Sequence, residues 1–164
     1  MKKTIVGALA LVLPAAAIAA PGDSDTAAGT ATATVVAPIV LTHDVDAALG
    51  FGSFLSGTGG TVVVTAGGVG SVTGDVAFVS DSVNSADSFT VAGDASRSYS
   101  ISATGGSVSN GTATMNFTTA VSSATASLDV NGDGAFTVGG TLTVAADQAP
   151  GDYTGTYDAT VAYN

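Results

Sequence analysis

Apolar and polar residues alternate with a period of two along most of this chain. The pattern is plainest from Tyr153 to Asn164, where Tyr153, Tyr157, Ala159, Val161 and Tyr163 interleave with Thr154, Thr156, Asp158, Thr160 and Asn164. Successive side chains of a strand point to opposite faces, so this spacing predicts a strand with an aromatic and aliphatic row inward and a Thr-rich row in water. A first strand is expected over Ala31 to Leu41, with Pro38 favouring an edge or a change of sheet. Others are expected at Leu49 to Leu55, Thr61 to Thr65, Ser71 to Val79, Ser88 to Ala92, Ser98 to Ala103, Thr112 to Thr118, Ala124 to Val130, Ala135 to Val138 and Thr141 to Ala145. Between them Gly59-Gly60, Gly67-Gly68, Gly105-Gly106, Asn110-Gly111, Asp133-Gly134 and Gly139-Gly140 read as turns.

No helical period occurs beyond the first residues. Short strands at this spacing predict an all-β fold, an immunoglobulin-like β-sandwich of short antiparallel strands. An eight-stranded outer-membrane barrel is the competing architecture. Most of the strands fall short of the nine to eleven or so residues that a membrane strand needs, and ten aromatics are few for two girdles.

The amino terminus has a different pattern. Lys2 and Lys3 precede an apolar run from Ile5 to Ala17, and Ala17-Ile18-Ala19 supplies small residues at cleavage spacing. Residues 1–19 therefore read as a secretory signal peptide, too short to span a membrane. Residues 20–30 read as a flexible segment, and residues 31–164 as a single β-sandwich domain.

Removing the signal sharpens the charge. The 164 residues contain 3 Lys+Arg and 13 Asp+Glu, a net charge of -10, and no cysteine. Without Lys2 and Lys3 one base, Arg97, faces 13 acids, giving -12. Such a surface repels phosphate backbones and anionic lipids, which argues against nucleic acid and membrane surfaces as partners. An exported chain without disulfides must be held by core packing and strand pairing.

Catalytic chemistry finds little support. His43 is the only histidine, no Gly-x-Ser-x-Gly elbow is present, and a Ser-Lys pair is lost with the signal. No catalytic residue, cofactor or metal site is expected, and His43 reads as a surface residue at a strand-to-turn boundary. Asp129-Val130-Asn131-Gly132-Asp133-Gly134 matches the opening of a calcium loop, but the twelfth position, where a bidentate Glu belongs, is Gly140. A hairpin turn is the stronger reading, with weak calcium binding at Asp129, Asn131 and Asp133 as the alternative.

Two resemblances follow from particular residues. The stretch Ala149-Pro-Gly-Asp-Tyr to Asn164, with Tyr163 penultimate and Gly151 fourteenth from the end, resembles the terminal strand of chaperone-usher pilin subunits. In that family a periplasmic chaperone pairs with this strand, and a neighbouring subunit later donates an N-terminal strand beside it. Over nearly all of the mature chain, Ala33 to Ile39, Leu49 to Phe54, Phe89 to Gly93, Tyr99 to Ile101 and Phe136 to Val144 resemble, in that order, the secreted bacterial family catalogued as domain of unknown function 4402. That resemblance implies export and an all-β fold but no activity.

The expected function is that of an exported, non-enzymatic surface subunit of fimbrial type, reaching the surface of a Gram-negative bacterium through the periplasm. It would assemble by edge-strand pairing through Gly151, Tyr153, Tyr157, Ala159, Val161 and Tyr163, with a further copy or a chaperone as partner. A donor strand needs bulky apolar residues, each contributing about 1.5–3 kcal/mol when buried. Residues 20–30 have none, so the donor would have to come from Ala31 to Leu41. The alternative is a self-contained secreted adhesive or binding module.

Overall fold

The computed structural model describes Gly22 and Ser24 to Asn164, so the expected signal peptide lies outside the described residues. The chain divides into a unit ending at Thr34 and a compact unit, Val35–Asn164. In the first, Ser24 to Thr34 are exposed and form no strand.

The compact unit is all-β and antiparallel. Its strands are β1 (Val40–His43), β2 (Phe54–Leu55), β3 (Gly60–Val64), β4 (Gly70–Gly74), β5 (Ala77–Phe78), β6 (Asp87–Ala92), β7 (Ser98–Ala103), β8 (Gly106–Ser109), β9 (Thr114–Val121), β10 (Thr125–Ser127), β11 (Asp133–Val144), β12 (Thr154–Gly155) and β13 (Ala159–Tyr163). The largest sheet runs β1-β6-β11-β9-β8-β12, with β3 against β11 and β4 beyond it. A second sheet runs β10-β7-β13, and β2 pairs with β5. The described sheets are open, so they do not form the closed barrel considered above.

Alternation decides which face is buried. Phe89 and Val91 of β6 and Phe136 and Val138 of β11 meet Tyr99 and Ile101 of β7 in one core cluster, with Val161 and Tyr163 of β13 packed against it. Residues from the two sheets thus face one another as the layers of a sandwich. The other half of the large sheet contributes Val62, Val64, Met115, Phe117, Leu142 and Val144 to a second cluster, covered by Phe51 and Val76 and flanked by Phe54 and Phe78 of the β2–β5 pair.

Several expectations change. Ser71 to Val79 divides into β4 and β5 of different sheets, Leu49 to Leu55 is strand only at Phe54–Leu55, and Asp133-Gly134 opens β11 instead of turning. Three further changes have a clear physical cause. Ala31 to Leu41 yields strand only from Val40 onward, because the Ala and Thr side chains before it bury little apolar surface; Val35 is 96% exposed. The tail is two strands, broken at Thr156 to Asp158, although its alternation of half-buried and exposed residues survives the break. Gly139-Gly140 is no turn. It lies within β11, which pairs with β6 up to Val138 and with β3 from Gly140. A Cβ on Gly139 would stand 2.3 Å from the Val64 carbonyl oxygen, so glycine here admits a neighbouring backbone.

Candidate functional site

The expected assembly residues divide among three places. β13 pairs with β7 in the register Ala159↔Ala103, Val161↔Ile101 and Tyr163↔Tyr99. Its opposite edge carries no strand among the described residues, because the sheet order β10-β7-β13 ends there. Ala159, Val161 and Tyr163 form one row against the second-sheet core. Tyr153 instead packs on the Phe117 cluster, and its hydroxyl donates to the Ala149 carbonyl at 2.7 Å. Gly151 precedes β12 with φ +143, a conformation that side-chain-bearing residues rarely adopt.

Tyr163 ties the strand at its far end. Its hydroxyl accepts from the Asp94 backbone N–H at 2.7 Å and donates to the Ala37 carbonyl at 3.1 Å. Arg97, ion-paired with Asp94 at 3.1 Å, lies 5.3 Å from the ring centroid. Both the carbonyl and the cation therefore hold the ring of β13 to segments outside its sheet.

Tyr157 occupies the third place, between β12 and β13, and touches both core clusters. Its hydroxyl donates to Asp87 Oδ2 at 2.6 Å. Asp87 is 4% exposed, and its Oδ1 accepts from His43 Nε2 at 2.6 Å and from the Ser88 N–H at 2.9 Å. Burial, and then Asp87 beside it, push the Tyr157 phenol well above the usual tyrosine range. These three residues border a cleft of about 380 Å³ whose walls include Leu49, Phe51, Phe89 and Phe117. His43, read from sequence as a plain surface residue, is half exposed but paired. Asp87 belongs to no motif in the sequence, but it shares strand parity with Phe89 and Val91 and therefore points inward.

The calcium-like loop is closed on itself. Asp129 Oδ1 accepts from the N–H groups of Asn131 at 2.8 Å and Asp133 at 2.9 Å, the geometry of a side-chain-capped turn. No group of three or more metal-ligating side chains occurs among the described residues.

That capping makes stability acid-sensitive. The backbone N–H groups of Asp133 and Asn131 hold the Asp129 carboxyl below the ordinary value of 3.8, and the hydroxyls of Ser88 and Thr90 do the same for Asp44. A lowered folded-state pKa contributes stability that is fully present above pH 3.8 and is lost as the pH falls through the folded value. Thermal melts should therefore show a melting temperature that falls below that pH, and Asp129→Ala should shallow the acid decline. An unchanged acid decline in that variant would show that Asp129 does not contribute to it.

No helix among the described residues is long and apolar enough to cross a membrane. No curated protein and no solved structure matches the chain. The model of the family described as Domain of unknown function (DUF4402) matches residues 39–163, from just before β1 to the last residue of β13. With most of its length covered, and with the match spanning the all-β unit from β1 to β13, the chain belongs to that family.

Proposed function

We propose that the chain is an exported structural surface subunit of fimbrial type, which assembles when an N-proximal strand of one copy pairs with the open edge of β13 in another. The observation that carries this reading is the edge itself. β13 presents unpaired backbone donors and acceptors on its outer side, a ready template for a further strand. Val35 to Ile39 belong to no strand, and Val35 is almost fully exposed. The Thr-Val-Val run at positions 34–36 supplies strand-favouring side chains. The chain would travel through the periplasm, where a chaperone could shield the same edge.

The absence of cysteine makes a direct test clean. Val35→Cys and Thr160→Cys are placed in separate chains, mixed and oxidised. A disulfide-linked heterodimer, together with filaments containing this chain in electron micrographs of native surface material, supports assembly in trans. If the single-cysteine chains stay monomeric and a chain carrying both cysteines forms only an internal bond, the pairing is in cis and the assembly reading fails. The cleft beside Asp87 favours a second reading, a self-contained secreted adhesive or binding module, which predicts monomers in the same experiment.

A further inference from the structure

The cleft at Asp87 combines two features that select the same kind of ligand. Asp87 is the buried charged residue of the described chain, and its hydrogen-bond donors are a tyrosine hydroxyl, a backbone N–H and His43, none of them a fixed cation. Arg97 is engaged elsewhere, with Asp94 and Tyr163. The three hydrogen bonds to Asp87 offset part of the cost of burying its carboxylate, and an approaching opposite charge would offset more of it.

The cleft walls add aromatic surface. Phe51, Phe89, Phe117 and Tyr157 line it with His43; Tyr157 meets Phe117 edge-on at 6.1 Å and 87° and Phe89 at 6.4 Å and 74°, while Phe51 and Phe117 are tilted by 57° at 5.9 Å. Aromatic faces carry negative potential, which attracts a cation clothed in apolar groups. A hard metal ion needs several oxygen ligands, and the cleft offers a single buried carboxylate. An anion would meet the Asp87 carboxylate at the wall. The volume of about 380 Å³ suits a small ligand.

We propose that this cleft binds a small organic ammonium ion of the methylated or quaternary type, its charge against Asp87 and its methyl groups against the aromatic walls. The test is calorimetric titration of the mature chain with choline and with 3,3-dimethylbutan-1-ol, its uncharged isostere. Choline should bind saturably and the alcohol at least about tenfold more weakly. Asp87→Asn should reduce choline binding by at least about tenfold. The comparison of charged and uncharged probes in the unsubstituted chain decides the matter even if that variant does not fold. Retention of the chain by phosphatidylcholine vesicles, reversed by choline, assigns the ammonium to a lipid headgroup; choline binding without retention assigns it to a free solute. Equal affinity for the alcohol, or no saturable binding of choline in either form, overturns the proposal.

Discussion

Replacing Tyr157 by alanine lowers the stability of the domain by up to about 3–5 kcal/mol, the range for truncating a large aromatic in a core, with the partial burial of the ring setting it toward the lower end. The ring packs against both clusters, so its loss opens space on each side at once. Tyr157→Phe keeps the ring and removes only the donor to Asp87, and leaving a buried acceptor short of a partner costs about 1–3 kcal/mol. Denaturant titration of the two variants separates packing from hydrogen bonding. If Tyr157→Ala costs no more than Tyr157→Phe, the ring does not join the clusters. Alkaline pH gives an independent check. The folded-state pKa is raised, so this contribution is present below the ordinary tyrosine value of 10.0 and is lost as the pH rises through the folded value. Tyr157→Phe should therefore weaken the alkaline loss of stability seen in melts above that pH.

Gly139→Val is expected to cost about 3 kcal/mol or more, at or beyond the upper end of the usual penalty for overpacking. The obstacles to its side chain are backbone atoms, the Val64 carbonyl oxygen at 2.3 Å and the Thr65 carbonyl carbon at 2.5 Å, and these cannot swing aside as a flexible side chain could. Gly29→Ala serves as the control, since nothing lies within 4 Å of a Cβ there and its effect should stay within about 0.5 kcal/mol. Equal midpoints for both variants would mean that β3 does not approach β11 as described.

These two residues also show where the sequence could be read and where it could not. Alternation correctly gave an all-β fold and the inward parity of the tail, because burial on one face of a strand leaves its mark at every second residue. Gly139-Gly140 misled because glycine pairs are favoured both in turns and where backbones approach. Yet Phe136, Val138, Leu142 and Val144 keep one parity across the pair, a continuity that a turn would not require. Ala31 to Thr34 misled in the opposite way: their alternation is real, but side chains of that size give a sheet little reason to hold them. The meeting of His43 with Asp87 was beyond local patterns altogether. It depends on β1 pairing with β6 across 44 positions of sequence.

β11 gives the domain a single cooperative spine. Its twelve residues bond to β6 and then β3 along one side and to β9 along the other, so it runs through the halves of the sheet that feed both core clusters. Neither half can open without breaking bonds to this one strand. Its central amides should exchange with solvent deuterium only through whole-domain unfolding, whereas the two-residue pairings of β2 with β5 and β12 with β8 are free to fray far more often.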